Sequence, residues 1–176
     1  MRSGRYLWSG VVAMCAGVLF GAQAAELAPG QPAPEFALRD QHGALQRLGN
    51  FRGTWLVVYF YPKDDTPGCT QEACKFRDNI QDITALGARV LGVSVDNTES
   101  HKRFAEKFQL PFSLLSDGAV AKAYGALWSL GPVKFAKRHS FIIDPAGRIA
   151  KVYRNVDPDR HSEEIINDLK ALQKTK

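Results

Sequence analysis

Apolar residues along the chain fall into continuous runs and helical spacings. The runs at 56–61 and 89–96 consist largely of β-branched, leucine and aromatic residues, which is typical of buried strands. Between them, apolar residues recur at three- and four-residue steps from Thr70 onward, which predicts one helix with a buried face. The residues of that face are Ala73, Phe76, Ile80, Ile83 and Leu86.

The same alternation continues to the end of the chain. A predicted helix at 99–109 is followed by a short strand at 112–117 and a short helix at 119–126. Two strands, 139–144 and 148–154, flank Pro-Ala-Gly and predict a hairpin. The last predicted helix has an apolar side formed by Ile165, Ile166, Leu169 and Leu172. This order predicts an α/β three-layer sandwich with a mixed central sheet, parallel early and antiparallel late.

The first 24 residues have the features of a secretory signal peptide. Arg2 and Arg5 give a positive start, and the apolar stretch 7–20 is short for a membrane span. Residues 22–24, Ala-Gln-Ala, form a small-x-small cleavage site. Export to the periplasm with cleavage near Ala24 is therefore predicted, the alternative being an uncleaved N-terminal anchor.

Cleavage there would leave one domain of 152 residues, 25–176, which begins with a Pro-rich, extended lead-in at 26–38. The removed segment carries Cys15, two basic residues and no acidic ones, so the net charge falls from +5 to +3. A lipoprotein modification of Cys15 is disfavoured because the preceding residue, Met14, is large. The mild charge gives little support to nucleic-acid binding. After cleavage, no stable membrane association is predicted.

Two cysteines remain, Cys69 and Cys74, and they stand five residues apart where a helix is predicted to begin. Three explanations are open: a structural disulfide, half of a metal site, or a redox pair. Cys69 follows Thr-Pro-Gly, so it falls in a first turn whose backbone N–H groups lack intrahelical partners and favour negative charge. Such a position favours a nucleophilic thiolate over the alternative, a small buried residue at a helix cap.

Helix geometry bears on how the pair is used. Residues i and i+5 of a regular helix have Cα atoms about 8–9 Å apart, whereas a disulfide needs them within about 7 Å. Cys69 and Cys74 therefore bond only if the first turns of their helix unwind. A transient disulfide coupled to local unwinding fits this constraint better than a permanent one.

The other chemistries have less support in the sequence. The four histidines are scattered and there is no second cysteine pair, so a zinc site lacks ligands and no metal or other cofactor is predicted. A thioredoxin-type oxidoreductase would place two residues between its cysteines, where this chain has four.

The segment Tyr-Pro-Lys-Asp-Asp-Thr-Pro-Gly-Cys-Thr-Gln-Glu-Ala-Cys, 61–74, resembles the active site of peroxiredoxins, most closely the peroxiredoxin Q or bacterioferritin comigratory protein branch. Pro62, Thr66 and Cys69 match the family pattern Pro-x3-Thr-x2-Cys. Glu-Ala before Cys74 matches the branch as well, and the likeness extends from about Leu27 to the C-terminus. The resemblance implies a thioredoxin-like fold and a thiol peroxidase acting on hydrogen peroxide and alkyl hydroperoxides.

The resemblance also implies the residue roles. Cys69 would be the peroxidatic thiolate and Cys74 the resolving cysteine, giving an intramolecular disulfide. Thr66 would hydrogen-bond the thiolate and the peroxide, and Pro62 would shield the site from water. The backbone N–H groups of Gly68 and Cys69 would hold the peroxide oxygens. An arginine before a late strand belongs to the family pattern, and Arg138 stands at that place.

Each of these residues also has a plainer explanation. Thr66 suits a turn or N-cap, Pro62 terminates a strand, and Arg138 is a basic residue at a strand entry that the sequence alone does not distinguish from Arg148 or Arg154. The segment 127–137 before Arg138 is less familiar.

The resemblance further implies a monomer that is re-reduced by a thioredoxin-like or glutaredoxin-like dithiol protein. Export would require a donor outside the cytosol. Two rival functions remain: an exported thiol–disulfide oxidoreductase acting on proteins, and a non-catalytic domain with a structural disulfide.

Overall fold

The computed structural model describes residues 26–174, so the predicted signal peptide lies outside the described residues. The strands are β1 Ala37–Arg39, β2 Leu45–Arg47, β3 Trp55–Phe60, β4 Ala88–Ser94, β5 Ser113–Ser116, β6 Leu127–Leu130, β7 Val133–Ala136, β8 Ser140–Ile143 and β9 Ile149–Tyr153. The α-helices are α1 Pro67–Asp78, α2 Ile80–Ala85, α3 Thr98–Phe108, α4 Gly118–Ala123 and α5 His161–Lys174, and a 3₁₀ helix spans Leu48–Phe51.

A five-stranded sheet in the order β5-β4-β3-β8-β9 forms the centre of the molecule. β3 runs parallel to β4, with Val57 opposite Val90, and antiparallel to β8, with Val57 opposite Ile142. β8 and β9 form the antiparallel hairpin that was predicted around Pro-Ala-Gly. The mixed sheet between helical layers confirms the predicted three-layer α/β sandwich.

β3 is buried on both faces and divides the hydrophobic core in two. Its side chains alternate between the faces, as strand geometry requires. One core contains Trp55, Val57 and Tyr59 with residues of α1, α2, α3 and α5. The other contains Leu56, Val58 and Phe60 with residues of α4 and the N-terminal segment. Because β3 is fixed on both faces, the loop that follows it leaves the sheet at a rigid point.

The helix after β3 begins at Pro67, which places Cys69 in its first turn as predicted, but it ends at Asp78 and does not continue to Leu86. The predicted single face is therefore shared between α1 and α2. Asn79 separates the two helices, with φ −99° and ψ 8°, and its side-chain amide donates to Ser162 Oγ at 2.9 Å. The apolar spacing does not reveal the break.

Two hairpins were not predicted. β1 and β2 pair within and just after the segment expected to be an extended lead-in, and β6 and β7 pair within 127–137, the stretch that the resemblance left uncertain. Both are short two-stranded sheets outside the central one. No helix among the described residues is long and apolar enough to cross a membrane.

Gly92 in β4 makes a close approach that a larger residue would block. A Cβ there would lie 2.8 Å from Tyr59 Oη and 2.7 Å from Leu114 Cδ2. We expect Gly92→Ala to lower the free energy of unfolding by about 1–3 kcal/mol, because overpacking shifts a buried ring. Urea denaturation measures this. Gly49→Ala, with no neighbour within 4 Å of its Cβ position, is the matched control, and equal losses in both variants would contradict the explanation.

Candidate active site

Cys69 lies in the first turn of α1, directly after the loop that follows β3. Thr66 is the N-cap and Pro67 the first helical residue, a position that proline favours because it has no N–H to leave unpaired. The first intrahelical bond runs from the Thr70 N–H to the Thr66 carbonyl at 2.8 Å. The backbone N–H groups of Gly68 and Cys69 therefore precede the helical hydrogen-bond ladder, as the sequence predicted.

Arg138 joins Cys69 to a buried carboxylate. Its Nη2 lies 3.4 Å from Cys69 Sγ, and its Nη1 donates to Glu72 Oε2. Cys69 is 1% exposed, and the Glu72 side chain is fully buried. Gly68 permits the approach, since a Cβ there would lie 3.2 Å from Arg138 Nη2. The structure thus places Arg138, rather than Arg148 or Arg154, beside the thiol.

Glu72 is a buried acid whose charge is only partly compensated. Burial raises its pKa to about 7, against the opposing effect of Arg138. One carboxylate oxygen binds Arg138, while Oε1 is buried without a hydrogen-bond partner. Burial disfavours the charged form of Arg138, but its interactions with Glu72 and Cys69 outweigh this effect and raise the pKa of Arg138. A protonated Glu72 leaves more of the Arg138 charge available to a thiolate.

The raised pKa of Glu72 makes a stability prediction. The folded state holds the proton of Glu72 more tightly than the unfolded state does. The fold therefore loses stability as pH rises from 4.5, the ordinary pKa of the group, to about 7, its pKa in the folded protein. We expect this group to remove about 3 kcal/mol from the free energy of unfolding over that interval. Glu72→Gln should abolish that contribution. Urea denaturation of both proteins from pH 4 to pH 8 checks it, and parallel pH profiles would contradict it.

Aromatic side chains share the buried core cluster of Cys69. Tyr59 stacks on Phe76 of α1 with ring centroids 4.8 Å apart and on Tyr61 at 5.4 Å. Burial raises the pKa of Tyr59 well above its ordinary value, and the charges of Glu72 and Cys69 raise it further. Tyr59 therefore stays neutral and adds no second negative charge beside Cys69.

Asp64 anchors the active-site loop to the rest of the molecule. Its carboxylate accepts hydrogen bonds from Tyr61 Oη at 2.8 Å, Ser100 Oγ at 2.7 Å and His101 Nδ1 at 2.8 Å. Burial acts against ionisation, but these bonds hold the pKa of Asp64 below its ordinary value. Its backbone N–H also donates to Asp96 Oδ2 at 2.9 Å. The loop is therefore fixed to α3 and to the end of β4 without help from α1.

Three other residues complete the loop: Pro62, Asp65 and Thr66. Asp65 adopts a left-handed conformation, φ 58°, which aspartate tolerates better than most residues, and Lys107 Nζ binds its two carboxylate oxygens at 2.7 and 2.8 Å. Pro62 follows Tyr61, the first residue after β3, and is half-buried. The Thr66 hydroxyl donates to the Lys63 carbonyl at 3.0 Å. Its single hydrogen is thus engaged by the loop, and it must rotate to donate to Cys69, the role that the resemblance implies.

Cys74 lies on the same helix as Cys69, half-buried, and both thiols are free. The inner face of α1 is fixed in the core by Ala73 and Phe76. On its outer face Lys75 meets Asp159 at 3.1 Å, an exposed ion pair that solvent screens. Cys69 in the first turn belongs to the same buried cluster, so unwinding must withdraw it from the core if it is to reach Cys74.

Sequence reasoning singled out neither the Glu72 partner of Arg138 nor the pairing of Asp64 with His101. For Glu72 a signal existed: Cys69, Glu72, Ala73 and Phe76 have i, i+3, i+4, i+7 spacing, so the glutamate shares the buried face of α1. No comparable signal links Asp64 to His101, 37 residues away. Among the described residues, no group of three or more His, Cys, Asp or Glu side chains is placed to hold a metal ion.

A sequence profile described as the AhpC/TSA family matches residues 29–152. The chain belongs to this family. Among its relatives, chloroplastic peroxiredoxin Q of Sedum lineare is 41% identical over 152 residues, covering 85% of this chain and 81% of the relative. Peroxiredoxin Bcp of Bacillus subtilis (strain 168) is 42% identical over 151 residues, covering 81% of this chain and 95% of the relative. The chain is accordingly a thiol peroxidase of the peroxiredoxin Q type.

Solved structures agree with this membership. Peroxidoxin BcpB from Mycobacterium tuberculosis superposes with a TM-score of 0.79 at 32% identity, covering 83% of this chain and 98% of that one. The Xanthomonas campestris bacterioferritin comigratory protein, described for its alkyl peroxide reduction activity, gives a TM-score of 0.75 at 32% identity, covering 82% of this chain and 98% of that one. The thioredoxin-like peroxiredoxin fold predicted from the resemblance is confirmed.

Proposed function

We propose that the protein reduces hydrogen peroxide and alkyl hydroperoxides through a sulfenic acid on Cys69, which Cys74 resolves as an intramolecular disulfide. The observation that carries the proposal is the 3.4 Å contact between Arg138 Nη2 and Cys69 Sγ in the first turn of α1, with the second thiol farther along the same helix. The Arg138 guanidinium lies beside one buried sulfur, in a first turn whose backbone N–H groups precede the helical hydrogen-bond ladder. Positive charge placed there stabilises the negative charge that develops in the transition state.

In the first step, the Cys69 thiolate attacks one oxygen of the peroxide. A sulfur–oxygen bond forms as the oxygen–oxygen bond breaks, so the sulfur loses two electrons and the peroxide gains them. The leaving hydroxide or alkoxide takes a proton from solvent and departs as water or alcohol. Arg138 and the N–H groups of Gly68 and Cys69 stabilise the negative charge that shifts between the oxygens.

In the second step, the first turn of α1 unwinds and the Cys74 sulfur attacks the Cys69 sulfenic acid. The sulfur–sulfur bond forms, and the sulfenic hydroxyl leaves as water with the proton of the Cys74 thiol. Unwinding is necessary because the intact helix holds the two Cα atoms about 8–9 Å apart. The loop anchored through Asp64 stays in place, so the movement is confined to residues after it.

In the third step, an external dithiol protein reduces the disulfide by thiol–disulfide exchange and is itself oxidised. Family members use thioredoxin-type reductants. We propose that a thioredoxin-like or glutaredoxin-like donor performs this step here, and that the enzyme acts as a monomer.

The N-terminal sequence supports a periplasmic location after cleavage near Ala24, with a reductant in the same compartment. Cell fractionation followed by N-terminal sequencing tests this. The expected result is a periplasmic protein that begins at or near Ala25. A cytoplasmic protein that retains residues 1–24 would contradict it.

The proposed role of Arg138 is tested by Arg138→Lys. Lysine keeps the charge but lacks the planar fork that contacts Glu72 and Cys69 together. We expect the rate constant for Cys69 oxidation by hydrogen peroxide to fall about 10²–10³-fold, measured by stopped-flow mixing with single turnover. Arg148→Lys is the matched control, since Arg148 donates to the Gly30 carbonyl away from the site. Equal rates in wild type and Arg138→Lys would overturn the assignment.

A further inference from the structure

The β6–β7 hairpin presents an apolar face whose tip is exposed in the described structure. Paired residues of a hairpin share a face, and alternate residues along each strand return to it. Trp128 pairs with Phe135, and Leu130 pairs with Val133, so these four side chains lie on one side. We define them as the hairpin face. On the opposite side, Ala136 is buried in the core and Leu127 packs against it.

The hairpin face is unusually exposed for apolar residues. Leu130 is 69% and Val133 is 56% exposed, and only one other large aliphatic side chain in the described chain, Leu45 at 39%, is classed with them as exposed. Trp128 and Phe135 stack on each other with centroids 4.5 Å apart and remain half-buried. The aliphatic pair thus projects at the tip, above an aromatic pair.

The chain segment that carries the hairpin is basic. Residues 118–143 contain no Asp or Glu, while Lys122, Lys134 and Lys137 are exposed and Arg138 follows directly. A second copy of this chain docked face to face across a two-fold axis would bring these like charges together. An anionic partner is favoured by charge complementarity.

The shape of the hairpin favours a lipid surface over a protein. The exposed aliphatic side chains stand at a two-residue turn, Gly131-Pro132, and form a projecting tip. A standard protein interface needs about 800 Å² on each partner with good complementarity, which a narrow tip does not offer. Aliphatic residues at the tip, a tryptophan behind them and lysines at the flanks match what inserts into the interface of a bilayer.

We propose that the β6–β7 hairpin docks the protein reversibly on anionic phospholipid membranes. Leu130 and Val133 enter the boundary between headgroups and acyl chains, Trp128 and Phe135 lie at headgroup depth, and Lys134 and Lys137 contact lipid phosphates. This contact is reversible and weakens with salt, unlike the stable attachment of a membrane anchor. β7 ends two residues before Arg138, which contacts Cys69, so the docked hairpin is adjacent in sequence to the active site.

The experiment is vesicle co-sedimentation of the protein in its natural processed form. Vesicles of phosphatidylglycerol and of phosphatidylcholine are compared at low and high salt. We expect binding to phosphatidylglycerol that weakens at high salt and is far weaker with phosphatidylcholine. The double variant Leu130→Ser/Val133→Ser should bind about tenfold or more weakly. Leu45→Ser, which removes an exposed leucine from β2, is the matched control and should bind like wild type.

A second measurement does not depend on the folding of a variant. Brominated phosphatidylglycerol should quench the fluorescence of Trp128 in the unsubstituted protein, and Trp128→Phe should remove that quenching. Absence of wild-type binding, or equal binding by the double variant and Leu45→Ser, would overturn the proposal. A dimer that dissociates in the double variant, found by sedimentation without vesicle binding, would also overturn it and assign the hairpin face to a second copy.

Discussion

Cys69→Ser is expected to abolish peroxide reduction. The hydroxyl that replaces the thiol is nearly isosteric, so the Arg138 contact and the buried position are preserved while the nucleophile is lost. Removing a catalytic nucleophile acts on a scale of at least about a thousandfold. Peroxide consumption by the variant, followed with an excess of dithiol reductant, should fall to the rate of the reductant alone.

Thiol counting supplies the internal check on this variant. Its one remaining thiol among the described residues, Cys74, is half-buried and lies away from Arg138, so it should react with peroxide only as an ordinary thiol does. Rapid oxidation of Cys74 in Cys69→Ser would mean that the roles of the two cysteines are reversed.

Cys74→Ser is expected to separate the two halves of the cycle. The first reaction with peroxide should keep its wild-type rate, because Cys74 lies five residues, more than one helical turn, after Cys69. Steady-state turnover with a dithiol protein should be lost, since no disulfide forms for the reductant to attack. The Cys69 sulfenic acid should then accumulate and, with excess peroxide, oxidise further to sulfinic acid.

Mass spectrometry measures this outcome directly. A gain of one oxygen on Cys69 with stoichiometric peroxide, and of two with excess, is the expected result. A matched control is Thr70→Ser, a conservative change on the same helix that leaves both thiols in place. Full steady-state turnover in Cys74→Ser would show that resolution does not require Cys74.

The sequence predicted the position of Cys69 in the fold better than it predicted the long-range contacts around it, and the reasons are physical. The Pro-x3-Thr-x2-Cys pattern fixes a loop and a helix start within eight residues, so local rules place Cys69 in a first turn. Arg138 is 69 residues away and was found only through the resemblance. The Asp64–His101 bond joins a loop to α3 and depends on how the sheet brings them together.

Local chemistry explains the errors in the fold as well. The apolar spacing from Ala73 to Leu86 is correct, but it carries no information about the change of backbone conformation at Asn79, where α1 ends. The hairpin at 127–136 was missed because its strands are only four residues each, although Trp128-Ser129-Leu130 and Val133-Lys134-Phe135 do alternate apolar and polar residues.

The most direct test of the central claim is stopped-flow mixing of the fully reduced protein with one equivalent of hydrogen peroxide. Trp fluorescence reports the kinetics, and thiol counting follows at the end of the reaction. The account predicts a fast signal and the loss of two thiols, those of Cys69 and Cys74, for each peroxide consumed. Slow oxidation at the rate of a free thiol would contradict it and would direct attention to protein disulfides as substrates.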